Sequence, residues 1–267
     1  YSPLTSYGTM FLASANYIFF GSGSVSNFNV QLNPVVTVTP NPASTCVGTG
    51  ISLTATVTGG DAPYTYSWTG PNGYTSTSNP AVITSPTLSS SGTYTVVVTD
   101  SGSCQGTNST ILTVNAIPTA TLSGTSPICL GSSSTLTLTL TGTSPYDITW
   151  SDGVTQTGVT SPVTRVVSPT TTTTYSATVT DNNGCTGTSN SFQVIVDEVT
   201  ATLSGTSPIC LGSSSTLTLT LTGTSPYDIT WSDGVIQTGV TSPVTRVVSP
   251  TATTTYSVTV TDNNGCT

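Results

Sequence analysis

The feature that most constrains this chain is that it repeats itself almost verbatim. Residues 119–186 align with 200–267 at an offset of 81, and only Thr155/Ile236, Thr171/Ala252 and Ala177/Val258 differ across those 68 positions. Self-similarity at a fixed period marks a chain built from copies of one structural unit rather than from one large core. A more divergent copy runs from about residue 35 to 116. Its Trp68 lies 22 residues after Cys46 and 36 before Cys104, while Trp150 and Trp231 lie 21 after and 35 before their own cysteines.

Within a unit the hydrophobic pattern has period 2. Leu136-Thr137-Leu138-Thr139-Leu140-Thr141 puts Leu on one face and Thr on the other, the signature of a half-buried strand. Further strands are expected at 64–68, 147–150, 228–231, 163–167, 174–180 and 191–196, separated by Gly, Pro, Asn and Asp clusters that mark turns. No stretch carries a helical period. About seven short strands per repeat, with turn signals every 8–12 residues, predict an all-β fold of tandem immunoglobulin-like β-sandwich domains.

Six cysteines fall at 46 and 104, 129 and 185, and 210 and 266, separations of 58, 56 and 56 residues. With no CxxC and no His, this regular spacing argues against zinc and for disulfides, hence an oxidising compartment. The expectation is one bridge per domain: Cys46 with Cys104, Cys129 with Cys185, and Cys210 with Cys266. Charge is scarce, at 4 % of residues with a net charge of −8. Ser and Thr supply 102 of the 267 positions, so hydroxyls must wet the surface. An acidic chain with two Arg and no Lys cannot neutralise phosphates, which excludes a nucleic-acid partner, and no apolar run approaches the roughly 20 residues of a transmembrane segment.

Ser90-Ser91-Gly92-Thr93-Tyr94-Thr95-Val96 resembles the immunoglobulin motif around the tyrosine corner, with Val96 where the second core cysteine of such domains would sit. The wider pattern of Tyr94, Val98-Thr99-Asp100, Gly102 and Cys104, met again at Tyr175, Val179-Thr180-Asp181 and Gly184-Cys185, is similar to the PKD/Ig-like repeats of large bacterial surface proteins and adhesins. The resemblance covers nearly all of 35–267. It implies a sandwich fold and an extracellular or cell-surface setting, and it names no ligand.

The expected domains are an N-terminal β-hairpin over 1–33, sandwiches over 34–116 and 117–198, and a third over 199–267 that lacks its last strand. Phe28-Asn29-Val30-Gln31-Leu32 matches Phe192-Gln193-Val194-Ile195-Val196 in alternation and in its place before the next unit. Tyr17, Ile18, Phe19, Phe20, Phe28, Val30 and Leu32 are therefore candidate assembly residues. They either end a preceding domain of a longer chain or fill the open edge of the third sandwich in another subunit. The partners expected are thus the chain itself, head to tail, or neighbouring repeats.

Catalytic chemistry has little to draw on. Without His or Lys only carboxylates remain, and Asp147, Asp152, Asp228 and Asp233 read as strand-end and turn residues around Trp150 and Trp231. No catalytic residue and no cofactor are expected. Arg165 and Arg246 should each pair with a carboxylate of their own domain or lie over apolar surface. Asp197 and Glu198, in a linker, are weak calcium candidates. Asn108, in the sequon Asn108-Ser109-Thr110, and Thr171, Thr172 and Thr173 are glycosylation candidates, and surface glycans are a further candidate partner. The leading expectation is an extracellular structural or adhesive repeat protein, the subunit of a surface filament or a segment of a giant adhesin. The alternative is a set of accessory binding domains belonging to a secreted hydrolase.

Overall fold

A computed structural model describes residues 31–267 as tandem immunoglobulin-like β-sandwiches. Helix among the described residues is confined to the 3-10 turns Pro71–Gly73 and Leu88–Ser90. The candidate assembly residues Tyr17, Ile18, Phe19, Phe20, Phe28 and Val30 lie outside the described residues. Leu32 lies within them, outside any strand and 59 % exposed.

In the first sandwich, Val35–Thr39, Ile51–Thr58 and Ala81–Ile83 form one sheet in that order, and Ala43–Cys46, Gln105–Asn115, Gly92–Thr99, Thr65–Thr69 and Thr75–Ser76 form the other. In the second, Val163–Val167, Ser134–Leu140 and Ala120–Ser123 face Thr155–Val159, Tyr146–Trp150, Ala177–Asp181 and Thr186–Thr188. The third repeats the design with Thr200–Ser204, Ser215–Thr222 and Val244–Val248 against Ile236–Val240, Tyr227–Trp231 and Val258–Thr261. The chain resolves into two compact units. One holds Ile51–Ile83, Ser91–Leu112 and the described residues up to Ala43; the other holds Ser44–Gly50, Thr84–Ser90 and Thr113–Thr267.

The alternation does what it predicts. Leu136 and Leu138 are fully buried and Leu140 nearly so, while Thr135 and Thr139 face solvent. Burial of each such Leu side chain stabilises by roughly 1.5–3 kcal/mol. Trp68, Trp150 and Trp231 occupy the core centres and are at most 1 % exposed. Their indole N–H groups are treated differently. Trp150 Nε1 donates to Gln156 Oε1 and Trp231 Nε1 to Gln237 Oε1, both at 2.8 Å. Trp68 Nε1 is buried without a hydrogen-bond partner among the described residues.

Two expected strands are broken, and each break is a change of sheet. The strand expected over 174–180 is interrupted at Ser176: Thr173–Tyr175 pairs with Phe192–Val194, whereas Ala177–Asp181 pairs with Tyr146–Trp150. Ser176 is held in the gap by Ser151, whose backbone N–H donates to the Ser176 carbonyl and whose Oγ accepts the Ser176 N–H. The segment expected over 191–196 divides between the Thr173–Tyr175 partner and Val196–Asp197, which runs parallel to Ile128–Cys129.

Candidate assembly site

The disulfides overturn the expected pairing. Cys46 is bonded to Cys185 and Cys129 to Cys266, while Cys104 and Cys210 are free. Each bond joins the first cysteine of one repeat to the second cysteine of the next. Strand geometry explains why. Cys129 lies before the strand Ser134–Leu140, and Cys185 is held at its far end, where Asp181 Oδ2 accepts the Thr143 N–H and Asp181 Oδ1 accepts the Cys185 N–H. Seven residues at ~3.3 Å each span ~23 Å, several times the reach of a disulfide, so the two cysteines of one sandwich cannot meet. In this fold the loop before the second strand and the last hairpin lie at opposite ends. Joining sandwiches in series brings unlike ends together.

Each second cysteine sits in the same cradle. Asp100, Asp181 and Asp262 are each 5 % exposed. Their Oδ1 atoms accept the N–H groups of Cys104, Cys185 and Cys266 at 2.8, 3.0 and 2.9 Å. Their Oδ2 atoms accept the N–H groups of Asp61, Thr143 and Thr224. The first cysteines share a frame as well: the carbonyls of Cys46, Cys129 and Cys210 accept the N–H groups of Thr49, Ser132 and Ser213. The role of these aspartates was not read from the sequence, although an Asp four residues before each second cysteine was a visible signal.

The calcium candidates acquire a different role. Asp197 is buried, and its Oδ2 accepts hydrogen bonds from Thr224 Oγ1 and Asn264 Nδ2 of the third sandwich. The Thr224 hydroxyl, then the Asn264 amide, hold the Asp197 carboxyl below the usual carboxylate range. Asp197, Asp262 and Cys266 cluster within 4.8 Å, but the Cys266 sulfur is spent in a disulfide and the Asp262 oxygens accept backbone N–H groups. Calcium wants six to eight oxygens; this is a hydrogen-bonded joint. Glu198 contributes its backbone N–H to the Asp197 carboxyl, and its own carboxylate is not among the clustered groups.

The second and third sandwiches differ at one edge. In the second, Phe192–Val194 pairs with Thr173–Tyr175, Ile128 N–H donates to the Ile195 carbonyl, Leu130 N–H donates to the Asp197 carbonyl, and Ser126 Oγ accepts the Ile195 N–H. That strand has no counterpart among the described residues of the third sandwich. A groove of about 640 Å³ is found there instead, lined by Leu203, Ser207, Cys210, Leu211, Leu217 and Tyr256 among others. Leu211 is 84 % exposed, against 45 % for Leu130 at the same place in the second sandwich.

The remaining candidates have structural partners. Arg165 forks onto Asp152 and lies 5.2 Å over the Trp150 ring; Arg246 does the same with Asp233, 5.0 Å over Trp231. The guanidinium hydrogen bonds hold both aspartates below the usual carboxylate range. Asp147 and Asp228 accept the N–H groups of Gly158 and Gly239. Asn108 Nδ2, the atom a glycan would take, donates to the Val36 carbonyl at 2.6 Å. Thr172 Oγ1 accepts the Val196 N–H and Thr173 Oγ1 donates to the Thr171 carbonyl, which leaves the exposed Thr171 as the most open of the glycosylation candidates.

No protein-family model matches the chain, and no curated protein matches it in sequence. Solved structures do. The eight N-terminal Ig domains of Down Syndrome Cell Adhesion Molecule isoform 1.30.30 match with a TM-score of 0.53 at 17 % identity, over 76 % of this chain and 29 % of that one. Immunoglobulin domains 1–5 of Sidekick-1 match with a TM-score of 0.39 at 18 % identity, over 76 % of this chain and 48 % of that one. The chain spans less than a third of the first and about half of the second; the likeness to the first is one of fold.

Proposed function

We propose that this is an extracellular structural and adhesive repeat protein of the PKD/Ig-like bacterial surface kind, the subunit of a filament whose copies dock head to tail. The single observation that carries this reading is that the disulfides run from one sandwich to the next. A bridge closed within a domain protects that domain; a bridge between successive domains protects the chain against being drawn out. Load entering at Cys129 can pass to Cys266 without crossing the chain between them, a sequence separation of 137.

The open edge of the third sandwich supports the docking half of the reading. An unpaired strand edge beside apolar side chains is a template for another strand. The segment ending in Phe28, Val30 and Leu32 has the alternation that this edge requires. A heterologous contact that does not close on itself generates a filament. The disulfides support an oxidising, extracellular location, and among the described residues no helix is long and apolar enough to cross a membrane. The role is non-catalytic on this reading, and glycans attached to exposed hydroxyls such as Thr171 would add to the polar surface that so few charges leave thin.

The test is immunogold electron microscopy of native cell-surface material with an antibody against this chain. Regularly labelled filaments are expected. Label confined to unassembled protein would contradict the proposal.

A further inference from the structure

We infer that Cys210 of one copy forms a disulfide with Cys104 of the next, so that the joint between subunits carries the same covalent staple as the joints within a subunit. This rests on the head-to-tail reading and deepens it. The pairing rule seen twice, first cysteine of one repeat to second cysteine of the following repeat, leaves one first cysteine and one second cysteine unused: Cys210 and Cys104.

Both free thiols stand on the backbone frames of the bonded ones. Cys104 N–H donates to Asp100 Oδ1 at 2.8 Å, as Cys185 and Cys266 do to Asp181 and Asp262. The Cys210 carbonyl accepts the Ser213 N–H at 2.9 Å, as the Cys129 carbonyl accepts the Ser132 N–H. Cys210 is exposed and lines the open groove, while Cys104 is half-buried.

The approach to the first sandwich has the features of the joint before the third. Asp61 N–H donates to Asp100 Oδ2 at 3.1 Å, as Thr224 N–H donates to Asp262 Oδ2 at 3.1 Å. Gln31 Nε2 donates to Asp61 Oδ2 at 3.2 Å, and Thr224 Oγ1 donates to Asp197 Oδ2 at 2.7 Å. The chain therefore enters the first sandwich past the Cys104 cradle as Asp197 enters the third past the Cys266 cradle. A second copy whose segment ending at Leu32 lies in the groove brings its Cys104 to Cys210 by the register that brings Cys266 to Cys129.

Bond formation passes two electrons and two protons to a disulfide oxidant, either a small-molecule disulfide or an oxidised dithiol protein. The Cys210 thiolate attacks the oxidant and forms a mixed disulfide, releasing one thiol. The Cys104 thiolate then attacks the Cys210 sulfur, closing the bond and releasing the second thiol.

The test uses Cys104→Ser and Cys210→Ser variants of residues 1–267, neither of which touches an internal bridge, incubated with oxidised glutathione and run without reductant. Each alone should stay monomeric and the equimolar mixture should give one disulfide dimer, whereas the unsubstituted protein should give a ladder in steps of 27.0 kDa that collapses on reduction. Equal dimer in either variant alone, or none in the mixture, overturns the inference. So does native material in which Cys210 is bonded to a peptide foreign to this chain. Electron microscopy of the same samples separates the two readings: filaments that lack the Cys104–Cys210 peptide overturn the bond alone, and absence of filaments in the unsubstituted protein overturns head-to-tail docking.

Discussion

Cys129 and Cys266 are 137 residues apart in sequence and 5.3 Å apart between Cα atoms, bonded across the boundary between two near-identical sandwiches. With Cys46–Cys185 it forms a pair of overlapping loops, since 129 lies between 46 and 185. The overlap governs how the chain responds to force, to reduction and to mutation.

Stretched between residues 46 and 266, the reduced chain has 220 residues to extend, about 770 Å at ~3.5 Å each. With both bridges intact the shortest covalent path runs from 185 back to 129, only 56 residues and about 200 Å. Single-molecule stretching between those two points should therefore show full extension rising nearly fourfold on addition of reductant.

Removing one bridge should also lower equilibrium stability. On the chain-entropy estimate a closed loop of 137 residues stabilises by about 5 kcal/mol. Cys266→Ser should lower the unfolding free energy of the third sandwich, read from denaturant titration, by that order and leave the far-UV spectrum of the folded protein unchanged.

The aspartate cradles predict a graded mutational effect. Asp181→Ala strips acceptors from the Asn183, Cys185 and Thr143 N–H groups and should cost about 2 kcal/mol in thermal or chemical unfolding. Asp181→Asn keeps an acceptor at Oδ1 and should cost less. Arg165→Ala removes a partly buried ion pair, its side chains 16 % and 37 % exposed, and a stack over Trp150, and should cost about 1 kcal/mol.

Much of this was legible beforehand. The Leu/Thr alternation and the central Trp spacing carry the fold because periodicity and burial are local signals, and Ser134–Leu140 and Tyr146–Trp150 lie where those signals put them. The disulfide partners were not legible from cysteine separation alone, because sequence distance says nothing about which end of a sandwich a residue occupies. Counting strand crossings between Cys129 and Cys185 would have placed them at opposite ends. The Asp197 joint was also hidden: its partners, Thr224 and Asn264, lie 27 and 67 residues away in another sandwich.

Acid should weaken the protein in a defined direction. Asp152, Asp197 and Asp233 have folded-state values lowered by their hydrogen-bond donors, so they bind protons less readily folded than unfolded. Their contribution is fully present above the unfolded value near pH 4 and is lost as pH falls through the lowered values. Melting temperature should hold steady from pH 7 to about pH 5 and fall below about pH 4. Asp152→Asn should flatten part of that fall.

The covalent map tests the account most directly. Cleavage before aspartate under non-reducing conditions separates the cysteines into peptides 1–60, 100–146, 181–196, 197–227 and 262–267. Mass spectrometry should find 1–60 joined to 181–196 and 100–146 joined to 262–267. Finding instead 100–146 joined to 181–196, with 197–227 joined to 262–267, would mean that each sandwich closes its own bridge and would contradict the account.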